Sequence, residues 1–159
     1  MPVTYRRARG ADLPVLDQFQ RAIIKAEQVF IPRRIDEDYR YYDLAPMLDA
    51  PDICVAVAEV NGDLVGSGYA KKVRSKPYLQ HRFHAYVGFM YTAEHCRGQG
   101  VARGMLTYLG DWARNQGLDE LRLDVFADNQ RAIRAYATAG FRANTLEMRM
   151  ALDDSADEC

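Results

Sequence analysis

Cys96-Arg97-Gly98-Gln99-Gly100-Val101-Ala102-Arg103-Gly104 is the stretch on which the reading of this chain turns. Upstream, Phe83 to Tyr91 read as a strand. Downstream, Val101, Met105, Tyr108, Leu109 and Trp112 recur at helical spacing, with Gly117 placed to end that helix. The nine residues therefore join a strand to a helix. The first amides of a helix lack intrahelical partners and carry partial positive charge, so they can hold an anion. Glycines at 98 and 100 let the backbone turn with positive φ and approach phosphate closely. Arg97 adds a permanent charge with planar donors. The combination suits a pyrophosphate.

Two other phosphate loops fit less well. A dinucleotide fingerprint needs glycine where Arg103 stands, and only about 60 residues follow the motif, too few for a dinucleotide domain. A Walker loop needs Gly-Lys-Ser/Thr at its end, which is missing. A glycine-rich turn that merely packs strand on helix is the remaining alternative.

Working outward, Val3 to Ala8 alternate as a first strand, and Asp12 is placed to cap a helix whose stripe is Leu16, Phe19, Ile23 and Phe30. Pro32 and Pro46 flank a short helix. Ile53–Val60 reads as a strand, Asn61-Gly62-Asp63 as a hairpin turn, and Leu64–Val73 as the returning strand. After the junction come a strand over Leu121–Phe126, a helix over Asn129–Ala139 stopped by Gly140, and an extended segment from Phe141 to Leu152. The predicted order is β-α-α-β-β-β-α-β-α-β, an α/β fold with a mixed sheet and flanking helices. Residues 1–152 form one domain, and 153–159 an acidic, frayed tail.

Composition narrows the classes. The 159 residues carry a net charge of −1, so no global field points to nucleic acid or an acidic membrane surface. Cys54, Cys96 and Cys159 are odd in number and scattered, which fits a reducing, cytoplasmic compartment and neither a disulfide framework nor a zinc site. His81, His84 and His95 show no metal spacing, so no metal is expected. The longest apolar run, Val55 to Ala58, is far short of the ~20 residues of a membrane span, and no membrane partner is expected.

Arg97-Gly98-Gln99-Gly100-Val101-Ala102 resembles the R/Q-x-x-G-x-G/A signature of the GNAT N-acetyltransferases. A second stretch, Asn129 to Phe141, is similar to that family's N-x-x-A-x-x-x-Y-x-x-x-G-F. The resemblance covers residues 53–150 well and the N-terminal helices loosely. It implies that the loop amides hold the pyrophosphate of acetyl-CoA, the acyl donor, and that backbone groups of Met90, Tyr91 and Thr92 pair with the pantetheine arm as an added strand. Asn129 would hydrogen-bond the donor, or else simply cap its helix. Tyr136 would be the general acid that protonates the departing thiolate, its alternative role being core packing. His84, counted back from Arg97, is a candidate general base on its strand, or else a surface histidine beside His81 and Arg82. Cys96 has no partner arrangement for a nucleophile, so direct transfer in a ternary complex is expected.

The implied activity is transfer of an acetyl group to the primary amine of a small molecule or peptide. The alternative is a CoA-binding module without turnover. Homodimers are common in the family. Two cues bear on the acceptor. Residues 31–50 interleave Asp36, Glu37, Asp38, Asp43 and Asp49 with Tyr39, Tyr41 and Tyr42, which suits a cationic amine. Lys71, Lys72, Arg74, Lys76, His81 and Arg82 suit an acidic one. Either set is equally at home on a solvated face.

Overall fold

Ile53 to Val60 is buried on both faces, and this double burial sets the architecture. Cys54, Ala56, Ala58 and Val60 point into one apolar cluster, and Ile53, Val55 and Val57 into another. A strand whose two faces are both apolar must be covered on both sides. The computed structural model describes residues 2–153 and supplies those covers. Strand β1 is Thr4–Arg7, helix α1 Leu13–Glu27, helix α2 Leu44–Asp49, strand β2 Ile53–Val60, strand β3 Asp63–Arg74 and strand β4 Phe83–Thr92. Helix α3, Val101–Asn115, follows the glycine loop; then come strand β5, Leu121–Arg122, and helix α4, Gln130–Ala139. Leu16 and Phe19 of α1 and Leu44 of α2 fill one cluster; Val101, Met105, Leu106 and Leu109 of α3 fill the other.

The sheet runs β1-β2-β3-β4-β5. Its first three pairings are antiparallel and the β4–β5 pairing is parallel. Asn61 and Gly62, at φ 50° and 85°, make the expected hairpin turn between β2 and β3. Helix α3 lies tight on β1. The Tyr5 hydroxyl donates to the Val101 carbonyl at 3.0 Å, and a Cβ on Gly104 would fall 2.1 Å from that hydroxyl.

Four expectations are revised. Asp12 stands at the N-cap position of α1, but its side chain makes no cap hydrogen bond: its carboxylate takes Arg6 at 2.8 and 3.0 Å and the Arg9 amide at 2.7 Å. Pro46 lies inside α2 rather than beyond its end. Strand β5 spans two residues instead of six, because β4 and β5 part after the Ala85–Leu121 and Tyr86–Arg122 pairs. The segment 141–152 carries no strand assignment, and residues 142–150 are all exposed. Most of the acidic tail lies outside the described residues. Asp153, its first member, pairs with Arg33.

Candidate active site

The parting of β4 and β5 has a visible cause. In β4 the pairing to β3 slips between Ser67 and Tyr69, and Phe89 sits there at φ 56°. Such a bulge bends a strand and re-aims its groups. The turned residue is held from two sides: Ser67 donates its hydroxyl to the Phe89 carbonyl at 2.8 Å, and the Phe89 amide donates to the Tyr42 hydroxyl at 3.3 Å. Beyond the bulge, Tyr91 and Thr92 pair with Ser67 and Gly66 of β3 on one side. On the other side, no residue of β4 after Tyr86 pairs with β5 among the described residues. That open edge includes Met90, Tyr91 and Thr92.

At its end β4 leads through a short turn, Glu94–Cys96, into the loop. Gly98 and Gly100 adopt φ 74° and 84°. A Cβ at either would meet nothing within 4 Å, so it is their left-handed backbone, not crowding, that calls for glycine. Gly104 is the first residue of α3 whose amide reaches back to the loop, at the Gly100 carbonyl, 2.9 Å away. The amides of Gly98, Gln99, Gly100, Val101, Ala102 and Arg103 have no main-chain acceptor among the described residues. The Arg97 side chain is anchored by its Nε to the Thr92 carbonyl at 3.1 Å, and Gln99 by its Nε2 to the His95 carbonyl at 3.1 Å. Open space above two left-handed glycines, unpaired amides and a helix N-terminus fit a diphosphate. Cys96 is 1% exposed and packed in the core, as a small hydrophobe would be.

Asn129 caps α4, its side chain accepting from the Ala132 amide at 3.2 Å. Further along this helix stands Tyr136, whose ring meets Phe141 edge-on at 5.7 Å. Burial, then the negative charge of Glu27 and the Tyr42 phenol, push the Tyr136 hydroxyl up to about 12. It is therefore a protonated phenol at neutral pH. His84 is not brought to this cluster. It lies at the start of β4, before the β4–β5 pairs, with its Nδ1 2.8 Å from the Ser75 hydroxyl. Burial, then the charge of Arg122 and the neighbouring His81, hold its pKa below 6.5.

Glu27 escaped the sequence reading, as did Tyr69, Tyr86 and Asp124. Glu27 is the last residue of α1 and is half-buried, and burial raises its carboxyl above the ordinary 4.5. Its charge helps to raise the phenols of Tyr41, Tyr42 and Tyr136 alike. A file of rings leads away from it. Tyr39 and Tyr41 lie 5.9 Å apart, Tyr41 and Tyr42 5.9 Å, Tyr42 and Tyr69 5.4 Å, and Tyr69 and Tyr86 6.4 Å. Tyr86 ends the file by donating to Asp124 at 2.9 Å. Buried Gln20 fixes the segment, accepting from the Tyr42 amide at 2.7 Å and donating to its carbonyl at 3.3 Å. Tyr69 lies so close over Gly88 that a Cβ there would fall 2.4 Å from its ring. The Tyr39 and Tyr41 hydroxyls are buried without a hydrogen-bond partner among the described residues; Tyr41 feels the charge of Glu27 but falls short of bonding geometry. Of the loop acids, Asp38 pairs with Arg40. Of the opposing basic set, Lys72 and Arg74 lie over the Phe83 ring and His81 sits 3.4 Å from Glu120. Among the described residues no group of three or more potential ligands could hold a metal, and no helix is long and apolar enough to cross a membrane.

The model of the acetyltransferase (GNAT) family matches residues 19–141. The L-methionine sulfoximine/L-methionine sulfone acetyltransferase of Salmonella typhimurium is 28% identical over 149 residues, covering 87% of this chain and 80% of its own. An acetyltransferase from Clostridium acetobutylicum, solved with acetyl-CoA, superposes with a TM-score of 0.70 at 19% identity, over 95% of this chain and 97% of its own. The aminoglycoside antibiotic 6'-N-acetyltransferase of Acinetobacter baumannii does so with a TM-score of 0.74 at 13% identity, over 97% of this chain and 100% of its own. The chain belongs to the GNAT family of acyl-CoA-dependent N-acetyltransferases, with acetyl-CoA as donor.

Proposed function

We propose that this enzyme acetylates the primary amine of a small cationic or zwitterionic acceptor by direct attack in a ternary complex, with Glu27 as the group that receives the ammonium and takes its proton. The observation that carries this reading is a half-buried carboxylate at the end of α1 whose charge raises the phenols of Tyr41, Tyr42 and Tyr136. A carboxylate ringed by aromatic faces attracts a cation through both charge and π-electrons. The raised pKa of Glu27 makes it a better proton acceptor than an ordinary surface carboxylate.

In this scheme Arg97 and the amides of Gly98, Gln99, Gly100, Val101 and Ala102 hold the donor pyrophosphate, and Asn129 lies beside it while capping α4. The open edge at Met90, Tyr91 and Thr92 binds the pantetheine arm. The amine loses a proton to Glu27 and attacks the thioester carbon. The carbon–sulfur bond then breaks, Tyr136 donates its proton to the departing thiolate, and the nitrogen gives up its surplus proton to the Tyr136 phenolate. His84, held against Ser75, has no part in the transfer. The methionine derivatives named for the Salmonella relative carry an amine of this kind, which supports a small acceptor.

Thiol release from acetyl-CoA across a panel of amino acids, polyamines and aminoglycosides tests the activity. Turnover on at least one of these amines is expected. Donor binding without turnover on any would favour a CoA-binding module instead. Glu27→Gln should lower kcat/KM for the amine by about 100-fold, while His84→Ala stays within about twofold of wild type. The reverse pattern would move the base to His84.

A further inference from the structure

Tyr42 has a hydroxyl hydrogen with nothing to receive it. Its oxygen accepts from the Phe89 amide at 3.3 Å, but its own O–H meets no acceptor among the described residues. The group is fixed from several sides. Gln20, 1% exposed, accepts from the Tyr42 amide at 2.7 Å and donates to its carbonyl at 3.3 Å. The half-buried ring packs against Tyr69 at 5.4 Å and Phe89 at 5.5 Å. Burial outweighs the opposing pull of the Phe89 amide and raises this phenol above 10, so the proton stays on at neutral pH. A shielded donor held this firmly and left unspent calls for a partner.

Its position says which partner. Phe89, the residue it touches, is turned to φ 56° beyond the last pairs of β4 with β5, and it directly precedes Met90. On the donor placement proposed above, the pyrophosphate lies at the glycine loop and the pantetheine arm runs back along Thr92, Tyr91 and Met90. Its thioester then falls beside Phe89. Ser67 separately holds the Phe89 carbonyl at 2.8 Å, so the turn does not depend on Tyr42 alone.

We propose that Tyr42 is a catalytic residue that donates its hydroxyl hydrogen to the thioester carbonyl oxygen and holds that oxygen as it becomes an oxyanion. The proposal rests on the donor placement and not on Glu27 or the choice of amine. No proton leaves Tyr42. As the nitrogen attacks, the carbonyl π pair moves onto oxygen and the O–H hydrogen bond tightens. As that pair returns, the carbon–sulfur bond breaks and the hydrogen bond relaxes. The Phe89 amide strengthens the effect, because a hydroxyl that accepts a hydrogen bond becomes a better donor. A donor already aimed where charge develops needs no reorganisation at the moment of reaction.

Infrared spectroscopy of acetyl-CoA labelled with carbon-13 at its acetyl carbonyl, bound to the full chain without amine, reads this contact directly. The wild type should show the carbonyl band at lower wavenumber than the free donor. Tyr42→Phe keeps the ring and removes only the oxygen; it should bring the band at least halfway back, with calorimetric donor affinity within about threefold of wild type. With an amine that turns over, its kcat should fall about 100-fold while KM for acetyl-CoA holds. A ring-fluorinated tyrosine at position 42 separates donation from mere support of Phe89. Fluorine makes the hydroxyl a stronger donor and its oxygen a poorer acceptor, so the band should move further down. Should Tyr42→Phe lose its circular dichroism, the fluorinated protein decides alone. A band unmoved by Tyr42→Phe, or moved toward the free value by fluorine, overturns the proposal while leaving the donor placement intact. A wild type that binds no acetyl-CoA overturns both.

Discussion

A phenol raised to about 12 by burial keeps its proton throughout the working range of a cytosolic or extracellular enzyme, and Tyr136 is such a phenol. It can therefore give a proton to a thiolate but cannot serve as a base. Tyr136→Phe should lower kcat about 100-fold and leave CoA affinity nearly unchanged, which steady-state kinetics and calorimetry would separate. An unaltered kcat would return Tyr136 to core packing against Phe141. Burial raises the Glu27 carboxyl as well, so the sign of the pH effect is fixed. A base with a raised pKa is protonated and idle at low pH, and activity climbs as pH rises through a value above 4.5. That limb should vanish in Glu27→Gln.

Among the elements, the junction between β4 and α3 is the proposed seat of the donor. Gly100→Asp would force a side chain into a left-handed backbone at φ 84° and set a negative charge beside the diphosphate. Calorimetry should show donor affinity falling at least 100-fold; affinity close to wild type would remove the cradle from its role. At the other end of the sheet, Asp12 ties the entry of α1 to β1, and Arg6 carries the link on to Glu59 of β2 at 3.1 Å. Hydrogen bonds and charge from Arg6 and the Arg9 amide outweigh burial and hold the Asp12 carboxyl below 3.8. Its stabilisation is thus complete above the ordinary carboxylate range and is lost as pH falls through its folded value. Asp12→Asn should cost about 2–3 kcal/mol at neutral pH, read by urea denaturation, and the acid loss of stability should be shallower in the variant.

At the scale of the whole molecule, the parts legible in the sequence were those set by neighbouring residues. The glycine loop, the Asn61-Gly62 turn and the Gly140 stop of α4 follow from local backbone preference, and each lies where the spacing put it. Glu27 was illegible because the phenols that feel its charge, Tyr41, Tyr42 and Tyr136, lie on segments distant in sequence. Strand β5 was overestimated because its alternation is real but its partner bends away at Phe89. The segment after Phe141 reads as a strand for the same local reason, yet no strand is assigned to it among the described residues. The donor cradle has one more consequence. In the proposed cradle, what would grip the diphosphate is almost wholly peptide NH, a group that every residue type but proline carries. Side chains at Gln99, Val101 and Ala102 can therefore drift widely so long as the turn survives. A grip of that sort would tolerate deep divergence, while the file of tyrosines, Tyr42 apart, stays free to be rewritten for a new amine.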